Sequence, residues 1–279
     1  MRKQVVTGRI LIFGDSHVHA IQDALKARGS GGTPVPIEAR RLLKAKGPAE
    51  SAERPRLLDR VRSLFAGRPA QSSAATIGDT SLEEFLAMAR RLDEDDVLVS
   101  VIGGNQHAVF STIQHPRYFD FIDPDNADEQ ISSKLELVPY RALYDYFSSS
   151  LRRGDGVTIL ALKSATRAKV VHLIAPPPKK KNNFIEHYHD THFASEGIAS
   201  HGVSHHNLRM KFWKLQNRAI EEICSEKDIE TLEPPPAACD RDGFLARDFY
   251  AGDATHANVG YGELVLRQLE DRFGGARAN

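Results

Sequence analysis

Apolar residues along this chain fall into short runs separated by longer stretches in which they recur every third or fourth position. The runs are "RILIFG" (9–14), "VPIEAR" (35–40), "DVLVSVIG" (96–103), "KVVHLIAP" (169–176) and "DIETLEP" (228–234). Each is the length of a strand, and the aliphatic ones suit strands buried on both faces of a parallel sheet. Between and after them lie "VHAIQDALKAR", "SLEEFLAMARRLDE", "VPYRALYDYFSSSLRR", "LRMKFWKLQNRAIEEICSEK" and "GYGELVLRQLEDRF". Their spacing is that of helices with one buried face. Thr80 or Ser81, followed by Glu83 or Glu84, predicts a capped helix start. The alternation predicts an α/β protein with a doubly wound sheet of about five strands. Such sheets take ligands beyond the carboxyl ends of their strands.

Three stretches exceed this minimal scheme. Residues 41–75 are rich in Arg, Ala and Pro, residues 104–136 are polar and aromatic, and residues 177–206 follow three prolines and carry six histidines. They read as insertions into one domain spanning 1–279, the first as a helical excursion or loop, all three as candidate lids and walls. No internal repeat is visible.

Composition narrows the partners. Lys plus Arg and Asp plus Glu balance at 37 each in 279 residues, so no global field draws the chain to nucleic acid or an anionic surface. The local basic run "PPPKKK" (176–181) reads as a solvated loop. Cys224 and Cys239 fit neither a disulfide framework nor a zinc spacing, and Cys224 is expected as a buried thiol on the apolar side of its helix. The apolar run near the amino end is interrupted by Arg9 and closes on Gly-Asp, which suits a core strand better than a signal peptide. No run approaches the roughly 18 apolar residues of a membrane span, and a cytoplasmic location is the expectation.

The chemistry concentrates where strands end. After "RILIFG" stand Asp15, Ser16 and His17, at the handover from strand to helix. A hydroxyl there can act as a nucleophile beside free helix N–H groups, or simply cap the helix. After "VLVSVIGG", Asn105 projects from the same end of the sheet, as an oxyanion donor or as a turn residue. Before the last helix, Asp253 and His256 are three apart, so a carboxylate can orient an imidazole. The order Ser, Asp, His makes the three signals reinforce one another.

Together these residues resemble the SGNH hydrolase superfamily, the GDSL-type lipases and esterases. Its four blocks have counterparts in Gly14-Asp15-Ser16, in Gly78 of "ATIGDTSLEEF", in Gly103-Gly104-Asn105, and in Asp253 to His256, across residues 9 to about 270. The resemblance implies a flavodoxin-like three-layer α/β/α sandwich with a central parallel sheet. It also implies ester hydrolysis through an acyl-serine intermediate, with no cofactor and no metal. Ser16 would be nucleophile, His256 base and then acid, and Asp253 its orienting carboxylate. The Ser16 N–H, the Gly78 N–H and the Asn105 amide would form the oxyanion hole. Asp15 would brace the turn. Gln106 stands where many members carry Asp, and His17 where many carry Leu, as a substrate contact or a helix cap.

His187, His189, His192, His201, His205 and His206, with Asp190, offer a polar lid, an ordinary surface loop or an unspecific ligand set for a transition metal. Three functions are compatible with the residues. The first is a serine esterase acting on a short acyl group of a carbohydrate or other polar alcohol. The others are an O-acyltransferase with the same triad and a non-catalytic binding protein on the same scaffold.

Overall fold

The computed structural model describes residues 8–29, 33–43 and 76–274. Most of the 41–75 stretch therefore lies outside the described residues.

A six-stranded, all-parallel sheet has the order β3-β2-β1-β4-β7-β8. Its strands are β1 (Ile10–Gly14), β2 (Ile37–Leu42), β3 (Thr76–Thr80), β4 (Val97–Val101), β7 (Lys169–Leu173) and β8 (Glu230–Leu232). The five predicted runs are all present, four of them shortened and the second shifted from 35–40 to Ile37–Leu42. Those five strands alone have the 2-1-3-4-5 order of a flavodoxin-like sheet. β3 adds an outer sixth strand, which its sequence Thr-Ile-Gly-Asp-Thr did not announce.

Side-chain alternation along the strands builds two cores. On one face Ile10, Ile12, Val97, Val99, Val101 and Val171 pack against α1 (Val18–Arg28) and the last helix, α10 (Val259–Phe273). On the other, Leu11, Phe13, Leu98 and Val170 pack against α2 (Leu82–Ala89), α5 (Asp155–Ala165) and α9 (His206–Ser225). The result is the expected three-layer α/β/α arrangement. α1 and α10 approach so closely that a β-carbon at Gly262 would run into the Ala20 carbonyl. The predicted cap of α2 is a capping box: Glu84 N–H donates to Ser81 Oγ (3.2 Å) and Ser81 N–H to Glu84 Oε2 (3.0 Å). Cys224 is buried on α9, and burial pushes its thiol up to about 12. α5 has no counterpart among the predicted helices.

The insertions fold onto the rim of the sheet. The 104–136 stretch contains α3 (Gln106–Ser111) and a two-stranded ladder of β5 (Phe119–Asp120) and β6 (Glu136–Leu137). It docks through Phe121 against Phe212 and Leu215 of α9 and Phe147 of α4 (Tyr140–Arg153). Lys211 holds Asp120 at 2.9 Å, and Arg218 holds Asp123 at 2.7 Å. The 177–206 stretch forms three short helices, α6 (Asn182–His187), α7 (Thr191–Ser195) and α8 (Ile198–His201). Ile185, Phe193 and Ile198 pack with Ala108 of α3 and with Ala254. This insertion is thus a wall seated between α3 and the Asp253–His256 turn. Among the described residues, no helix is long and apolar enough to cross a membrane.

Candidate active site

Chain order reverses between β1 and β4, parallel neighbours whose following connections lead to opposite sides of the sheet, toward β2 and toward β7. A crevice at their carboxyl ends is the natural ligand site of such a sheet. Gly14 closes β1 in register with Val101 of β4, so Ser16 and Asn105 leave the sheet at the same rim.

Asp15 ties the two segments together. Its N–H donates to the Val101 carbonyl (3.3 Å), and its Oδ2 accepts the Gly103 N–H (3.3 Å). Gly103 and Gly104 have φ of +91° and +103°, a region that favours glycine. At Gly104 a β-carbon would also fall 2.6 Å from that of Ala175. These two residues set Asn105 at the start of α3 with its amide making no hydrogen bond to the described residues, so it caps nothing. Two residues on, the His107 N–H donates to Gln216 Oε1 of α9 at 2.8 Å. With Asp15, this glutamine holds the loop that Gln106, in place of an acid, does not. Ser16 is half-buried in the turn before α1, and its hydroxyl likewise makes no hydrogen bond to the described residues.

The third segment is a closed turn. Asp253 Oδ1 accepts the N–H groups of Thr255 (2.9 Å) and His256 (2.7 Å), while Oδ2 lies 2.8 Å from His256 Nδ1. Burial works against the ionised carboxylate, but the His256 contacts outweigh it and hold Asp253 far below the usual carboxylate range. With Nδ1–H committed to Asp253, the proton-accepting lone pair is on His256 Nε2, which is buried and has no partner. Asn258 secures the turn to α10. Its Oδ1 accepts from Gly260 N–H (2.9 Å), and its Nδ2 donates to the Asp248 carbonyl (2.8 Å).

His17, next to Ser16, brings its ring to 5.1 Å from that of His256. Strand one and the last turn therefore meet at one rim. His17 makes no capping bond, so the helix-cap alternative fails. Its ring is buried with both nitrogens unpartnered, and burial, with His256 and His107 nearby, lowers its pKa to about 3. It stands there as a neutral imidazole against Gly104.

Gly78 is not brought to this rim. It sits inside β3, level with Arg40 of β2 and, beyond that, with Phe13 of β1. Two strand spacings of about 4.8 Å separate it from β1, and its carbonyl accepts from Gln22 Nε2 of α1 at 2.9 Å. The implied third oxyanion donor is therefore displaced by β2, whose Arg41 is the residue in register with Gly14.

The histidine-rich stretch disperses. His189 Nδ1 contacts the Glu186 carbonyl (3.0 Å), His205 accepts the Asn207 N–H (3.3 Å), and His206 lies against the Phe244 ring. His192 and His201 line a groove with Phe110, His115, Phe193 and Glu196. Among the described residues, no three His, Cys, Asp or Glu side chains converge as a ligand set.

Lys179 escaped the sequence reading. Its run was expected in a solvated loop, but its side chain is wholly buried and donates to the carbonyls of Ala251 (2.8 Å) and Asp253 (2.6 Å). Three prolines before it were the available sign of a fixed path.

No family model matches the sequence, and no curated protein does. Solved structures with a similar path include phospholipase A1 from Streptomyces albidoflavus NA297, at 11% identity over 95% of this chain and 99% of that one, with a TM-score of 0.46. A catalytic mutant of an acetylxylan esterase from Geobacillus stearothermophilus gives 12% identity over all of both chains and a TM-score of 0.43. A GDSL-like lipase from Bacteroides thetaiotaomicron VPI-5482 gives 10% over 97% and 90%, with 0.38. Likeness at this level carries no argument about chemistry, which rests on the residues of this chain.

Proposed function

We propose that the protein is a serine esterase of the SGNH type, removing a short acyl group from a carbohydrate or other polar alcohol. The observation that carries this reading is the Asp253–His256 hydrogen bond. It leaves a buried, unpartnered Nε2 on the rim where Ser16 presents an unengaged hydroxyl.

In this scheme Ser16 Oγ attacks the ester carbonyl carbon and passes its proton to His256 Nε2. The carbonyl electron pair moves onto oxygen, where the Ser16 N–H and the Asn105 amide donate to it. Collapse of that intermediate breaks the bond to the alcohol oxygen, which leaves with the proton from His256. Water then attacks the acyl-serine, giving its proton to His256, and the acid and Ser16 are released. Asp253 keeps Nδ1 protonated and steadies the imidazolium. The substrate class is suggested by the composition of the 104–136 and 177–206 insertions, which wall this rim with His, Asp and aromatic side chains. Side chains that combine a ring with a hydrogen-bonding group suit an alcohol rich in hydroxyls.

The test is turnover of p-nitrophenyl acetate by the protein and by Ser16→Ala, with labelling by a fluorophosphonate probe. Activity and labelling that vanish together support the reading. Labelling that persists in Ser16→Ala removes Ser16 from the mechanism.

A further inference from the structure

We infer that Lys179 is a positioning residue for the Asp253–His256 pair, a buried ammonium that both ties down their turn and counters the carboxylate's charge. The inference rests on the proposed esterase reading for its meaning, though not for its measurement.

The geometry is specific. The Lys179 side chain has no exposed surface, and its Nζ donates to the carbonyls of Ala251 and Asp253 at 2.8 and 2.6 Å. The same ammonium lies 3.5 Å from Asp253 Oδ1. That oxygen faces away from His256 Nδ1 and already accepts the N–H groups of Thr255 and His256. Asp253 thus stands between two partners, an imidazole on Oδ2 and an ammonium on Oδ1. The rings of Phe184 and Tyr250 flank Nζ at 5.1 and 5.2 Å, a cation–π setting that excludes water. The backbone of Lys179 is pinned in turn, because Arg209 Nη2 donates to its carbonyl at 2.9 Å.

Two consequences follow from elementary electrostatics. A carboxylate that served only His256 would attract a proton onto the imidazole with its full charge. With Lys179 beside it, part of that field is cancelled. The second consequence is mechanical: the ammonium bonds two carbonyls of the 251–253 segment, so the carboxylate stays aimed at Nδ1. Burial lowers the Lys179 pKa to about 8 even though Asp253 opposes the shift. The other ionisable groups near His256 are Asp253, His17 and His19, and Tyr250 faces Lys179.

Three substitutions separate charge from hydrogen bonding. Lys179→Arg keeps the charge, Lys179→Gln keeps donors without charge, and Lys179→Met keeps neither. The first readout is the midpoint at which the His256 ring resonances titrate by NMR, followed in the full chain. The second is the acid limb of kcat/KM on p-nitrophenyl acetate. The expected result is a rise of both by about 0.5–1 pH unit in the Gln and Met variants, with the Arg variant within 0.2 unit, roughly, of the unaltered protein. Equal midpoints in all four proteins, or a shift in Arg as large as in Gln, overturn the inference, since a merely structural role moves stability alone. Should the variants fail to fold, the unaltered protein still decides. Its His256 resonances, followed to alkaline pH, should show a second inflection where Lys179 loses its proton, and a trace with no such inflection up to the pH of unfolding also overturns it. The NMR midpoint needs no turnover, so a Ser16→Ala enzyme that stays active sinks the esterase reading without touching this one.

Discussion

The chain writes nearly the same tripeptide twice, Gly14-Asp15-Ser16 and Gly78-Asp79-Thr80, and the fold uses the two copies differently. The first ends a central strand flanked by β2 and β4. Asp15 is buried there and spends its carboxylate on the Gly103 N–H, while the hydroxyl beyond it is left unengaged at the switch point. The second lies within the outermost strand. Asp79 is exposed and pairs with Arg41 across the strand gap (Nε to Oδ1, 3.0 Å), and Thr80 Oγ1 donates to Glu84 at 3.2 Å as part of a helix start. A carboxylate beside a hydroxyl is therefore not a site in itself. Chemistry needs a reversal of chain order that leaves room above the strand ends, with a second strand bringing a donor into it.

The largest expected contrast is between the two hydroxyls. Ser16→Ala should lower kcat for p-nitrophenyl acetate by about 10⁴-fold or more, at unchanged thermal midpoint, because removing a triad nucleophile leaves only binding and oxyanion stabilisation. Thr80→Val should leave kcat within about twofold and register only as a small loss of stability from the Glu84 contact. Comparable losses in both would mean that β3, not β1, borders the reacting carbonyl.

The donors give the next contrast. Asn105→Ala should cost about 10²–10³ in kcat with little change in KM, as expected for a donor that acts on the developing oxyanion. Gly78→Ala retains its N–H, and the added carbon meets only the mobile end of Arg40, 2.7 Å away. Steady-state kinetics should place it within about threefold of the parent. A hundredfold loss would show that substrate passes over β3 after all.

What the sequence disclosed and what it withheld divide along the same line. α1 runs over the predicted "VHAIQDALKAR", and the Ser81–Glu84 box closes as read, because caps and buried faces are written in neighbouring residues. The Asp253–His256 pairing was legible for the same reason, three residues apart on one turn. β3 was missed because an edge strand needs no continuous apolar run, and among its described side chains it is Ile77 that packs against the apolar core. α5 was missed because "TILALKSA" is apolar on nearly every side, so it lacks the one-sided period. Lys179 was missed because composition places lysines in water, and only long-range neighbours (Ala251, Asp253, Phe184, Tyr250) make a buried ammonium tolerable.

The histidines at the two copies should separate in acid. His17 is buried and pushed down to about 3, and His107 and His172, also buried, to about 4. Unfolded, each takes up its proton near 6.5, so between those values the unfolded chain binds protons that the native protein does not. Stability must therefore fall as pH drops from about 6.5 toward 4, by up to about 1.4 kcal/mol per pH unit for each such histidine. Urea unfolding at pH 7, 6 and 5 measures the slope. His17→Leu, which needs no proton, should flatten it by about a quarter to a third, since the half-buried His206 is also lowered to about 4. His19→Ala, on the exposed side facing Arg41, should change it far less.

The smallest contrast is the sharpest test of what the two aspartates do. Asp15→Ala strands the buried Gly103 N–H without its acceptor, a loss of about 1–3 kcal/mol. It also frees the loop that aims Asn105, so kcat should drop about tenfold alongside the stability. Asp79→Ala breaks a pair whose side chains are each about a third exposed (34% and 38%), and exposed pairs contribute at most about 1 kcal/mol. Its kcat should not move, because its partner Arg41 turns to His19 on the exposed side and makes no hydrogen bond to Ser16. Denaturation midpoints and kcat measured together on both variants distinguish the cases. If Asp15→Ala loses stability but keeps full kcat, then Gly103 and Gly104 hold Asn105 in place by their own conformation, and the brace is needed for folding alone.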